Sequence, residues 1–342
     1  MDDKITERIA SWILKSHIQI QDGPESGAVA GWLHAEEHPS FAYTEITGYY
    51  LTCLAFMHRI GRSDPCIASN ANRAVSWLHR KCRNGQPPLT RYYPQQDVGD
   101  WRNDAFFSFY VAMVLRGLSS VRGLVDERSR QETFDALARH LCRFVSSEGR
   151  LMPFIQLNGH SLPARWSTTP GPFQLKTAAA LLFSGGLVAE EAKKAALHVY
   201  HQWRSSILAP LRPEEFHAAM YAIEGLILFG IHGCDEAWKA AADKYRQVVE
   251  QLSYERSDVI AQALRAGCLL RGRGFLQPSE WDQKLAELAA ALQRFVGKDG
   301  AVYYCDALLS PQPHRNAWSS MFAYQAFTFY QRFRADVSSV LC

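Results

Sequence analysis

The sequence has no apolar run near the ~20 residues that a membrane-spanning helix needs. Its longest runs, such as 178–183 and 226–231, are far shorter, so no membrane span is expected. It also has no basic block. The formal net charge is +3 and is spread along the chain, which argues against nucleic acid or an anionic membrane surface as partner. Eight cysteines are present, yet none form a CxxC pair and none cluster with histidine. No zinc site is expected from them, and they read as buried free thiols of a reducing cytoplasm. A secretory leader is not expected either. Met1-Asp2-Asp3-Lys4 is acidic and runs into an amphipathic helix, and a cytoplasmic location is the expectation. Finally, there is no fixed-period repeat of the kind that marks TPR or HEAT arrays.

What is present is ordinary in amount and unusual in arrangement. The 342 residues are 47% hydrophobic and 21% charged, as in soluble globular proteins. Hydrophobic periodicity predicts about twelve helices, at 5–17, 44–60, 69–81, 103–118, 128–146, 173–183, 189–204, 213–229, 236–252, 257–270, 279–296 and 314–333. They alternate in kind. One set is apolar on a single stripe, for example Ala192, Ala196, Val199 and Trp203, or Leu285, Leu288 and Leu292. The other set is apolar all round past its first turn, as in 44–60, 213–229 and 257–270. A helix wetted on one face belongs to an outer ring and a helix apolar on all faces to an inner one. Six such hairpins closed in a circle give an all-α (α/α)6 toroid occupying 1–342 as a single domain. A helical solenoid is the competing architecture. Long connections lead into inner helices and short ones lead out, which favours the closed form, with the long loops gathered at one end.

In a toroid the inner helices run parallel and their N-termini meet at one rim. The stretch Tyr43-Thr44-Glu45-Ile46-Thr47-Gly48-Tyr49-Tyr50 is the clearest such start, because a buried helix opens there with a carboxylate, hydroxyls and phenols. The other first turns offer Asp100, Trp101, Arg102, Asn103 and Asp104; Gln174 and Lys176 after Trp166; Glu214, Glu215, His217 and Tyr221; Arg256, Asp258 and Gln262; and His314, Arg315, Asn316 and Trp318. Helix N-termini converging on one cavity favour anionic ligands. Carboxylates, Tyr, His and aromatic platforms in one funnel suit sugar chemistry. Paired carboxylates can hydrolyse a glycoside, and a Tyr/His pair can move a proton beside a uronate carboxylate.

The catalytic candidates are therefore Glu45, Asp104, His217, Tyr221 and Asp258. The substrate-binding candidates are Tyr43, Tyr49, Arg91, Trp101, Asn103, Trp166, Gln262, Asn316 and Trp318. Plainer roles compete. Asp104 and Asp258 are good helix-capping residues, His217 suits a core histidine, and Glu224, in a buried stretch, demands a basic partner such as Arg265. His34, Glu36, Glu37 and His38 have the chemistry of metal ligands without supporting spacing, so no metal or other cofactor is expected.

The helix openings Tyr43-Thr44-Glu45-Ile46-Thr47-Gly48-Tyr49, Tyr221-Ala222-Ile223-Glu224-Gly225-Leu226 and Asn316-Ala317-Trp318-Ser319-Ser320-Met321-Phe322-Ala323 resemble bacterial α,α-toroid proteins of the six-hairpin glycosidase and terpenoid-cyclase-like group, in particular members found in polysaccharide-biosynthesis settings. The resemblance implies the toroid fold and carries no agreed catalytic set. The Asp-x-Asp-Asp and Asp-Asp-x-x-Asp motifs of terpenoid enzymes are absent, as are the zinc sets of prenyltransferase β subunits and lanthionine cyclases. The leading expectation is a metal-independent hydrolase, lyase or epimerase acting on a glycan or sugar conjugate. The alternatives are a non-catalytic toroid that binds a glycan or protein partner, and a cyclase or tailoring enzyme for a small natural product.

Overall fold

A computed structural model describes residues 4–34, 37–82, 85–94, 98–184, 188–206, 211–305, 314–331 and 341. Twelve α-helices are found among them: α1 (Lys4–Lys15), α2 (Thr44–Arg59), α3 (Cys66–Cys82), α4 (Ser108–Ser120), α5 (Glu127–Leu141), α6 (Gln174–Leu182), α7 (Glu190–Trp203), α8 (Phe216–Ile231), α9 (Asp235–Gln251), α10 (Ser257–Gly272), α11 (Pro278–Gln293) and α12 (Ala317–Gln331). The even-numbered helices pack in a ring, each on the next, and α12 returns to α2 to close it. The odd-numbered helices lie outside, each against the inner helix beside it. The fold is the expected (α/α)6 toroid, and its closure rules out an open solenoid.

The hydrophobic pattern explains the two rings. An inner helix touches inner neighbours on both sides and outer helices behind, so α2 from Ile46 to Met57 and α8 from Ala219 to Gly230 are buried without interruption. Outer helices bury one stripe, such as Ala192, Ala195, Ala196, Val199 and Tyr200 on α7. Each large apolar side chain withdrawn from water contributes roughly 1.5–3 kcal/mol. Close approach of the inner helices depends on missing side chains. A Cβ added at Gly48 on α2 would lie 2.8 Å from the backbone nitrogen of Val114 on α4, where an uncrowded atom does not fit.

Six short strands gather at the loop end: β1 (Trp32–Leu33), β2 (Ala42–Tyr43), β3 (Arg91–Tyr92), β4 (Ala105–Phe107), β5 (Phe154–Gln156) and β6 (Arg315–Asn316). They form three antiparallel pairs, β1 with β6, β2 with β3 and β4 with β5. These pairs correct two expected helix starts. Residues 103–107 finish a 3-10 turn and enter β4, so α4 begins at Ser108, and residues 315–316 pair with β1, so α12 begins at Ala317.

The strands and loops also cap the inner helices. The first N–H donates to a loop carbonyl at α2 (Thr44 to Thr90, 3.1 Å), α4 (Ser108 to Pro153, 2.9 Å), α10 (Ser257 to Tyr304, 3.0 Å) and α12 (Ala317 to Gly31, 3.1 Å). The residues at the N-cap positions of α2, α4 and α10 are Tyr43, Phe107 and Arg256, all extended and none capping through its side chain. Orphan N–H groups that usually recruit a Ser, Asp or Asn side chain are thus satisfied from elsewhere. First-turn side chains are released to face the space above them.

Candidate active site

That space is a cavity of about 760 Å³ at the N-terminal rim of the inner ring. Every inner helix, or the segment leading into it, supplies part of the wall: Tyr43 and Glu45, then Phe109, Trp166, His217 and Tyr221, Asp258, and finally Trp318. Arg91, Trp101 and Arg102 close one side from the loop that precedes α4, and Arg256, Tyr304 and His314 close another.

Glu45 occupies the first turn of α2 and is partly exposed, to this cavity. It makes no hydrogen bond or ion pair with any described residue. Burial among aromatic and apolar neighbours disfavours its charged form and pushes its pKa up to about 7, against the opposing fields of Lys176, Arg91 and Arg102. Asp258, another wall carboxylate, behaves in the opposite way. Burial alone would raise Asp258, but Arg256 grips it at 3.1 and 2.7 Å and Trp318 Nε1 donates to it at 3.3 Å. The guanidinium wins, and Asp258 is held below the usual carboxylate range. Of the four carboxyl groups that line the cavity (Glu45, Glu214, Glu215 and Asp258), Glu45 and Asp258 are therefore driven in opposite directions, the pattern that separates proton-donating from permanently ionised groups.

Histidine and tyrosine complete the polar wall. His217 lies edge-on to Trp166, with ring centres 5.0 Å apart, and burial with Arg256 nearby lowers its pKa to about 4, so its imidazole is neutral at neutral pH. Beside it Tyr221 contacts Phe109 at 4.8 Å. The Tyr221 and Tyr49 hydroxyls are hydrogen-bonded to each other, and burial keeps both phenols protonated. His314 is sandwiched between Trp32 at 4.4 Å and Tyr304 at 5.3 Å, near parallel to both, and burial lowers it also to about 4.

Beneath the cavity is a buried ionic floor. Glu224 on α8, with no exposure, accepts from Lys176 Nζ (2.8 Å), Arg265 Nε (2.8 Å) and Gln262 Nε2 (3.4 Å). Arg265 also donates to Gln325 at 3.0 Å. Lys176 reaches upward, 3.4 Å from the Tyr49 hydroxyl and 4.6 Å from the centre of the Tyr221 ring. The basic partner that the sequence demands for Glu224 is Arg265, joined by Lys176.

Most of the sequence-derived candidates meet in the cavity wall: Glu45, His217, Tyr221, Asp258, Tyr43, Arg91, Trp101, Trp166 and Trp318. The others are elsewhere. Asp104 precedes β4 rather than opening α4, and its carboxylate receives Asn158 Nδ2 at 2.7 Å and faces His160 at 3.5 Å, outside the cavity wall. Asn103 is spent on the Arg91 backbone, accepting its N–H at 3.0 Å and donating to its carbonyl at 2.8 Å. Gln262 and Tyr49 belong to the floor, and buried Asn316 accepts the Ser319 N–H at 2.8 Å within the first turn of α12. Asp258 binds Arg256 instead of a helix N–H. Of the acidic and histidine residues near position 34, Glu36 lies outside the described residues, and Glu37 pairs with Arg315. Trp32, from β1, and Arg165 and Tyr304, from loops folded over the rim, also line the cavity and carried no sequence signal.

No family model matches this chain, and no curated protein matches it in sequence. Solved structures do. A sugar epimerase from a ruminal bacterium superposes with a TM-score of 0.67 at 10% identity, covering 96% of this chain and 99% of that one. A D-mannose isomerase gives 0.68 at 11% identity, covering 96% of each. An unsaturated glucuronyl hydrolase specific for heparin gives 0.64 at 12% identity, covering 96% and 97%. At these identities the likeness is one of fold: the chain is an α/α toroid of the kind seen in six-hairpin glycosidase-like enzymes. No described helix is long and apolar enough to cross a membrane.

Proposed function

We propose that the protein is a carbohydrate-active enzyme that works by acid/base catalysis in the rim cavity, with Glu45 as the group that gives and takes the proton. The observation that carries this is Glu45 itself: a carboxyl group in a cavity wall, without a hydrogen bond or ion pair among the described residues, and poised at about 7. A proton-transfer group works best with a pKa near the working pH. Structural carboxylates in this protein look different, as Glu224 and Asp258 do, each bound by arginine. Trp166, Trp101 and Trp318 around the acid supply flat faces for pyranose rings.

Among hydrolase, lyase and epimerase, the arrangement favours proton transfer at a sugar carbon, as in a lyase or epimerase. Two-carboxylate hydrolysis needs a second free carboxylate as base or nucleophile, and the other wall carboxylates are committed: Asp258 to Arg256 and Trp318, Glu215 to Arg212 at 2.8 Å, and Glu214 to the same arginine at 3.5 Å. Glu45 has instead a neutral imidazole, His217, and a protonated phenol, Tyr221, in the same wall. The similar structures include epimerases and an isomerase beside a glucuronyl hydrolase, so this choice rests on the wall residues. The test is incubation with a panel of reducing disaccharides and uronides in deuterated water, followed by proton NMR. Deuterium entering a ring carbon, abolished by Glu45→Gln, is the expected result. Hydrolysis without exchange would move the protein to the hydrolases. Saturable binding with no turnover would make the toroid a binding module.

A further inference from the structure

The side of the cavity next to Glu45 is built around one carboxylate and two guanidinium groups. Asp100, 5% exposed, accepts Arg91 at 3.1 Å on one oxygen and Arg102 at 3.1 Å on the other, and it also takes the Arg102 backbone N–H at 3.0 Å and the Tyr93 hydroxyl at 2.8 Å. Both arginines are further fixed from behind. Arg91 lies over the rings of Phe41 (4.3 Å) and Tyr43 (4.8 Å), and Arg102 lies over Trp101 at 4.4 Å. Each lines the cavity, and two cations share one anion, so one positive charge remains uncompensated within the cluster. The buried Nε of Arg91 has no hydrogen-bond partner. Arg91 and Arg102 act on Glu45 through space but form no ion pair with it, so Glu45 in its protonated form leaves that charge in place.

Resting on the reading of this cavity as a sugar site, we infer that the substrate is an acidic sugar whose carboxylate is received by the Arg91–Asp100–Arg102 cluster beside Glu45. Asp100 performs the job of holding two planar forks in place, which lowers the entropy lost when they bind an oxyanion. A carboxylate fixed there sets the neighbouring ring carbon against the wall that carries Glu45. Its charge, neutralised by the arginines, also makes the proton on the adjacent carbon easier to remove. A neutral sugar would cover the surplus cation from water and leave it unpaired. Arg165, in the cavity wall with no ion pair among the described residues, adds a further cation for a longer acidic chain.

The experiment is calorimetric titration with uronate disaccharides (glucuronate-, galacturonate-, mannuronate- and iduronate-containing), their neutral hexose counterparts and inorganic sulfate. At least one uronide is expected to bind tenfold or more tightly than its neutral counterpart, to weaken in 0.5 M salt, and to lose at least tenfold in Arg102→Gln. Arg102 is 35% exposed, so that variant is expected to fold, and its unchanged melting temperature is the control. Neutral disaccharides binding as well as uronides, or Arg102→Gln leaving uronide affinity intact, would overturn the inference while leaving the sugar site standing. Sulfate binding as tightly as any uronide would overturn it in favour of a bare anion site. If no member of either sugar set binds, the sugar reading fails with it.

Discussion

Glu45 and Glu224 are both glutamates on inner helices of the same ring, and they have opposite fates. Glu224 is fully buried and held by Lys176, Arg265 and Gln262. Glu45 reaches the cavity wall and is held by none. A carboxylate that folding has neutralised contributes to the structure of the ring. One left uncompensated costs stability and keeps a proton near neutral pH. Burial alone therefore does not distinguish a working acid from a strut; the partners do.

The largest effect should come from breaking the strut. Glu224→Ala leaves Lys176 and Arg265 as two buried cations without their anion. Removing one member of a buried ion pair typically costs about 3–5 kcal/mol. Urea denaturation should show a loss of that order, or the variant should not accumulate in soluble form. A variant with wild-type stability would mean that Glu224 is not the anchor of the floor.

The matching change at the rim should do the reverse to stability. Glu45→Gln is expected to lower turnover about 10²–10⁴-fold, the usual contribution of a general acid or base, while making the fold firmer. The sign follows from the direction of the shift. Glu45 is raised from 4.5 to about 7 in the folded protein, so its favourable contribution is complete below about pH 4.5 and is lost as pH rises through about 7. Gln carries no such loss. The variant should match the wild type at pH 4.5 and exceed it at pH 8 by about 1–3 kcal/mol, measured as paired melts at the two pH values. Equal melts at pH 8 would show that Glu45 ionises without penalty and so is not poised as an acid.

A purely steric version of the comparison comes next. Gly48 lies one turn below Glu45, where α2 touches α4, and Gly48→Ala puts a methyl group against the Val114 nitrogen. Overpacking of this kind costs about 1–3 kcal/mol. Because the strain would also shift the first turn of α2, activity should fall along with the melting temperature, unlike the split expected for Glu45→Gln.

The two regions also differ in how readily the sequence reveals them. The ring and its floor were legible because burial is a local, periodic signal: 213–229 is apolar all round, and a glutamate in its midst must find a cation, as Glu224 finds Arg265. The rim was legible in part. Glu45, His217, Tyr221 and Asp258 open inner helices and do line the cavity. Lys176, placed by sequence at the same rim, instead reaches into the floor. What the sequence does not display is distant pairing. Helix starts at Ser108 and Ala317 depend on β5 and β1, remote in the chain, and the caps come from loop carbonyls that no N-cap rule anticipates. The same long-range folding brings Trp32 and Tyr304 into the wall.

Asp104 gives the smallest expected effect and a sharp test of that reading. By sequence it is an acid beside a buried aromatic helix, as Glu45 is. In the structure it is turned away by the β4–β5 pairing, which makes residues 105–107 extended and leaves its carboxylate with Asn158 and His160 on a solvent-facing loop. His160 is 74% exposed, so their pairing is screened and contributes no more than about 1 kcal/mol. Asp104→Asn keeps the shape and an acceptor for Asn158. Turnover should stay within about twofold of wild type and the melt should barely move, at the low end of ordinary surface substitutions. A loss comparable to that of Glu45→Gln would place Asp104 back in the chemistry. That would require the segments that flank the β4–β5 pair, which hold Asp104 and Asn158, to fold inward over bound substrate.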